Sequence, residues 1–97
     1  DIAAKKITQL IPDDVIISAE QHLLPLLYKK KKMLIFPSPD KNIEYILIDR
    51  YNPKKTGGPT KNVLRTDPEF EYQKYLKSDD WIVIKEELGV TLLKKIN

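Results

Sequence analysis

Residues able to do chemistry gather at two places in this chain, Glu20 with His22 and Asp49 with Arg50. His22 is the chain's one histidine, with Glu20 two positions before it and Ser18 four before. A serine nucleophile needs a base within reach, and a metal needs several ligands, so this spacing is compatible with either. The residues straddle the end of an expected strand and the start of an expected helix, however, so their side chains need not converge. A surface histidine beside a helix start is the plainer reading. Asp49 and Arg50 close the apolar run Tyr45-Ile46-Leu47-Ile48. In open α/β sheets ligands bind at the carboxyl ends of strands, where the strand order switches. If the strands ending at Glu20 and Asp49 are neighbours, Glu20, His22, Asp49 and Arg50 share one rim. The alternative is that Asp49 caps a loop amide or pairs with a lysine.

Two basic features suggest anion contacts. The tract Tyr28-Lys29-Lys30-Lys31-Lys32 could meet a phosphate or lipid headgroup, although a run of lysines between two elements is ordinarily a solvated turn. It offers one aromatic, whereas nucleic-acid platforms interleave several with their basic residues, so no nucleic-acid partner is expected. Gly57-Gly58-Pro59-Thr60-Lys61 lacks the spacing of a phosphate-binding loop and is not flanked by a strand and a helix. We assign no catalytic residue, no metal ligand and no cofactor.

The elements that must hold these residues follow from periodicity. Ile2, Ala3, Ile7, Leu10 and Ile11 recur at helical spacing until Pro12. Val15–Ala19 is short and β-branched, a strand with both faces buried. Leu23, Leu24, Leu26 and Leu27 suit a short helix, which Pro25 requires to begin between His22 and Pro25. Met33–Phe36 and Tyr45–Ile48 are the next strands. Segment 51–66 has few aliphatic anchors and reads as a long loop, either functional or mobile, with 52–62 expected to be the most mobile part of the chain. Asp67-Pro68-Glu69 starts a helix to about Lys77, burying Phe70 or Tyr72 with Tyr75 and Leu76. Trp81–Ile84 and Val90–Leu93 flank Glu86-Glu87-Leu88-Gly89 as a hairpin.

Strands one and two, joined by a helix, should be parallel, and the last pair antiparallel. Strand three forms either a hairpin with strand two or a crossover back beside strand one. Its apolar residues on both faces favour the crossover. The expected fold is a single α/β domain over 1–97, Rossmann-like, with a mixed five-stranded sheet and about three helices.

Length and composition bound the rest. The chain has 97 residues, 41% hydrophobic and 32% charged, and a net charge of +3. That is too apolar for a disordered tail and too mildly basic for a dedicated nucleic-acid binder. Without cysteine it has no disulfide framework and no thiolate chemistry. No apolar run reaches the roughly 18 residues of a spanning helix, so the domain itself is expected to be soluble. Opening at Asp1 without an initiator Met or signal segment, it is expected to be a piece of a longer protein or a processed product.

One resemblance supplies a context. Ile11-Pro12-Asp13-Asp14-Val15, Ser18-Ala19, Leu24-Pro25 with Leu27, Leu34-Ile35-Phe36-Pro37 and Tyr45–Asp49 resemble the C-terminal region of a family of multi-pass membrane proteins of unknown function. Trp81-Ile82-Val83 and Gly89–Lys94 fit that family's closing pattern. Such proteins are related to membrane glycosyltransferases of the C superfamily, which use lipid-phosphate sugar donors. The chain departs at Leu26, where a histidine is usual, at Lys29–Lys32, where one basic residue is usual, and at Glu44. In those transferases the catalytic carboxylate lies on an early extracytoplasmic loop, which nothing here matches. The resemblance implies a non-catalytic extracytoplasmic accessory or interaction domain, whose partner is the membrane-embedded part of the same polypeptide. The competing expectation is a free-standing anion- or nucleotide-binding domain, or an enzyme, using the rim at the strand ends.

Overall fold

A computed structural model describes residues 2–49 and 68–96, and for 68–70 the backbone alone. In chain order the elements are α1 (Ile2–Thr8), β1 (Ile16–Ala19), a 3-10 helix (Gln21–Leu27), β2 (Lys32–Ile35), β3 (Tyr45–Asp49), α2 (Pro68–Leu76), β4 (Trp81–Glu87) and β5 (Val90–Lys95). The strands form one five-stranded sheet in the order β2-β1-β3-β5-β4. β1 is parallel to both β2 and β3, while β5 is antiparallel to β3 and to β4. The fold is therefore α/β with a mixed sheet, a parallel half and a C-terminal antiparallel hairpin. The crossover expected for strand three is present: Ser18 lies opposite Ile46, and Ile46 opposite Leu93.

Strand alternation divides the core between two faces. On one face Ile17, Ala19, Tyr45, Leu47, Val90 and Leu92 pack against Ala3, Ala4 and Ile7 of α1 and Leu23 and Leu27 of the 3-10 helix. On the other, Ile46, Ile48 and Leu93 meet Tyr72 of α2, with Phe36 and Ile43 of the β2–β3 connection beside them. The chain thus leaves β1 for β2 across the α1 face and returns to β3 across the α2 face. β1 and β3 are the neighbours at which its direction of travel reverses. Every residue of β3 is buried, which is why its run of apolar residues is continuous rather than alternating.

Several boundaries differ from the sequence reading, each for a local reason. α1 stops at Thr8, because Pro12 keeps Ile11 from the α conformation and i→i+3 bonds tighten the exit, Leu10 N–H to Ile7 O at 2.9 Å and Ile11 N–H to Thr8 O at 3.2 Å. The helix around Pro25 does not wait for the proline. It runs Gln21–Leu27 as a 3-10 helix with Pro25 inside, since proline removes an α-helical donor and the segment adopts the tighter winding. β2 begins at Lys32, one residue early, although Phe36 N–H still continues the ladder to Ala19 O at 2.8 Å. Glu86 and Glu87 belong to β4 rather than to the turn, which is Leu88-Gly89 alone. On this edge strand the Glu87 carboxylate pairs with Lys6 of α1 and that of Glu86 accepts from the Thr91 hydroxyl, both at 3.3 Å. Leu76 is exposed, and Tyr72 with the half-buried Tyr75 forms the inward face of α2. Tyr75 stacks between Phe36, at 5.9 Å, and Trp81, at 5.3 Å and nearly perpendicular. The loop expectation for 51–66, the anchoring of Phe70 and the cap at Asp67 lie outside the described residues.

Candidate functional site

Glu20, His22 and Asp49 meet at the carboxyl ends of β1 and β3. Glu20 follows β1 directly in extended backbone conformation and precedes the 3-10 helix. Its own N–H continues the parallel ladder to Leu47 O at 3.3 Å, and its carbonyl accepts the first helical bond from Leu23 N–H at 2.8 Å. Its carboxylate turns across the strand gap and accepts the backbone N–H of Asp49 at 2.5 Å. Both carboxyl residues are buried, each 5% exposed. His22, in the first turn of the 3-10 helix, places Nε2 3.6 Å from Asp49 Oδ2. That distance is too long for a hydrogen bond and suits an ion pair when the imidazole is protonated. Arg50 lies outside the described residues.

The geometry limits what this rim can do. Asp49 behind His22 resembles the orienting half of a catalytic dyad, but the one serine near it among the described residues, Ser18, is turned away from this side of the sheet. Ser18 sits opposite Ile46, whose side chain belongs to the α2 face, whereas His22 belongs to the α1 face. Ser18 Oγ is fully buried without a hydrogen-bond partner among the described residues. No group of three or more His, Asp or Glu among the described residues could hold a metal. Two buried carboxylates side by side also repel phosphate, which argues against an anion at this position.

The lysine tract divides by role. Lys30 is drawn into the fold: its side chain is 7% exposed, and Nζ donates to Ile11 O at 2.6 Å and to Asp13 Oδ1 at 2.9 Å. This clamps the exit of α1 to the turn before β2. Lys30, by hydrogen bond and then by charge, holds the Asp13 carboxyl below its ordinary range. Lys32 is the first residue of β2 and lies 3.6 Å from Asp40. Lys29 and Lys31 are exposed, Lys29 standing 5.6 Å above the ring of Tyr28. Sequence reasoning grouped these four lysines and missed the clamp, because only the tertiary fold brings Asp13 under the third of them. It also missed Glu44, whose carboxylate accepts Ile16 N–H at 3.0 Å and so caps the opposite end of β1.

A depression of about 460 Å³ lies at that opposite, amino end, lined by Pro12, Asp14, Val15, Glu44, Tyr45 and Lys95 among others. It is open and mixed in charge, and none of the rim residues borders it. No helix among the described residues is long and apolar enough to cross a membrane. Comparison of the chain with protein-family models, with curated proteins and with solved structures returned no match.

Proposed function

We propose that this chain is a non-catalytic accessory domain on the extracytoplasmic side of a polytopic membrane protein related to the glycosyltransferases of the C superfamily. In this reading the sheet is a Rossmann-like scaffold whose strand-end residues hold the fold together and perform no reaction. The membrane context rests on the sequence resemblance, and the observation that supports a non-catalytic rim is the use made of the Glu20 carboxylate. It is committed to the backbone of Asp49, and the imidazole of His22, the chain's only histidine, stands 3.6 Å from the Asp49 carboxylate. A catalytic carboxylate must be free to exchange a proton or meet a substrate, and one that caps a buried amide is not. Any sugar transfer would belong to the membrane-embedded partner within the same polypeptide.

Two measurements test this. The coding sequence upstream of Asp1 should encode apolar segments of membrane-spanning length, and a reading frame without them would refute the proposal. This domain contributes no cysteine, so a Tyr28→Cys placed in a full-length protein with any other cysteines replaced by serine reports sidedness. A membrane-impermeant maleimide should label it in intact cells, and labelling only after lysis would place the domain on the other side.

A second reading, a ligand site at the rim, is favoured by the position of Glu20, His22 and Asp49 where the strand order reverses. Its ligand would have to be cationic rather than a phosphate, given the two carboxylates.

A further inference from the structure

The two edges of the sheet are unlike each other and complementary. β4, the last strand in the order, carries Ile82, Val83 and Ile84 at 44%, 42% and 39% exposure. β2, the first, carries Met33 and Ile35 at 39% and 53%. Edge strands with exposed aliphatics offer unpaired backbone groups to another chain, and proteins ordinarily blunt them with charge, proline or bulges. Here the blunting is confined to the strand ends: Lys85-Glu86-Glu87 and a register shift between Val83 and Lys85 guard the far half of β4, Lys32 and Pro37 bracket β2, and Trp81–Val83 is regular and uncharged. The flanking charges have opposite signs. Asp79-Asp80 immediately precede β4, and the exposed Lys29 and Lys31 immediately precede β2.

We propose that this domain self-associates edge to edge, β4 of one copy pairing with β2 of the next as parallel strands of a continuous sheet. β4 already runs in the direction of β2, being antiparallel to β5, which is antiparallel to β3. A neighbour in the same orientation therefore adds a parallel strand and keeps its α1 and α2 layers level with those of the first copy. The register that sets Met33 beside Ile82 also sets Leu34 beside Val83. Leu34 and Val83 then share the α2 side, since Leu34 packs with the α2 cluster and Val83 pairs with Leu93 of that cluster. The same register brings Lys31 beside Asp80. Two β4 edges pairing antiparallel about Val83 would instead oppose Asp80 with Glu86, like charges that disfavour a two-fold dimer. A head-to-tail contact of this kind builds rings or open chains. The inference rests on the sheet edges alone and stands or falls independently of the membrane context proposed above.

The test uses the chain's lack of cysteine. Sedimentation from micromolar to millimolar concentration should show wild-type mass growing beyond the monomer, and a monomer throughout would overturn the proposal. Ile82→Lys blocks one edge and Ile35→Glu the other, so each variant alone should stay monomeric, with circular dichroism checking its fold. Mixed, they should give a one-to-one dimer and nothing larger, since one good edge of each kind remains. A dimer formed by either variant alone would show like-edge pairing and refute the scheme. Cross-linking serves where a blocked variant folds poorly. Met33→Cys and Ile82→Cys chains, mixed and mildly oxidised, should form a mixed disulfide. Cross-linking of Met33→Cys to Lys85→Cys in preference would establish the antiparallel arrangement and overturn the parallel one.

Discussion

The Glu20 carboxylate accepts the backbone N–H of Asp49, so the last residue of β3 is tied to the residue that follows β1 across the sheet's parallel seam. This bond turns a pair of acidic residues at a strand-end rim into a clasp. A buried amide left without an acceptor costs about 1–3 kcal/mol. Glu20→Ala should therefore destabilise the domain by that amount, and Glu20→Gln, whose side-chain oxygen can still accept, by clearly less. Urea unfolding of the two variants checks this ordering, and equal losses would contradict it. His22→Ala, by contrast, should change stability by no more than about half a kcal/mol, as for other exposed positions.

Ile46 sits between Ser18 and Leu93 on the buried α2 face and is fully inaccessible. Ile46→Ala should cost about 2–5 kcal/mol through lost transfer energy and the cavity left behind. In a domain whose whole stability is on the order of 5–10 kcal/mol, this is a large fraction of the total. A loss below about half a kcal/mol would deny β3 its central place.

Lys30 predicts a contrast within the lysine run. Lys30→Ala removes a charged donor from Ile11 O and should cost about 1–3 kcal/mol. Lys29→Ala and Lys31→Ala, both at exposed positions, should cost about half a kcal/mol or less. The same clamp has an acid limb. Because Lys30 depresses the folded-state pKa of Asp13, its contribution is present above the unfolded carboxylate range. It is lost as pH falls through the depressed folded value. Unfolding measured from pH 6 down to pH 2 should lose stability with a shallower acid slope in Asp13→Asn than in wild type.

The β4–β5 turn carries a conformational cost at one residue. Leu88 has φ 50° and Gly89 φ 86°, the two positive values of a primed hairpin turn. Glycine adopts this region freely, whereas a leucine with a Cβ does so at a cost of about 1 kcal/mol. Leu88→Asn, which gives the favoured Asn-Gly pair, should stabilise the domain by about 0.5–1 kcal/mol. An unchanged or lowered melting temperature would show that Leu88 packs in a way its 72% exposure conceals.

How much of this was legible beforehand depended on whether a signal was local. The uninterrupted apolar run Tyr45–Ile48 marked a strand buried on both faces, and that alone chose the crossover over a hairpin. The closing hairpin was legible too, although its turn is Leu88-Gly89 rather than the four residues from Glu86 to Gly89. Pro25 misled, because the rule against interior proline belongs to the α-helix and the segment wound as a 3-10 helix instead. Glu86-Glu87 misled because charge suggests a turn, yet an edge strand accommodates charge and here gives the two carboxylates partners in Thr91 and Lys6. At the rim, the chemistry of Glu20, His22 and Asp49 was visible, but their purpose was not. Which carboxylate caps which amide is decided by the register of β1 against β3, and the register is a property of the sheet rather than of any one segment.

The most direct test of the rim as a clasp is thermal unfolding in the presence of candidate ligands. Wild-type protein and Asp49→Asn should be melted with millimolar magnesium, manganese and nucleotide sugars. A domain of this size moves by about 4–8 °C per kcal/mol, so a ligand bound with a millimolar Kd would raise the melting temperature by about 2–3 °C. The account predicts shifts below about 2 °C for every ligand, in both proteins. A ligand that stabilises wild type by more than this, and loses its effect in Asp49→Asn, would show that the rim is a binding site.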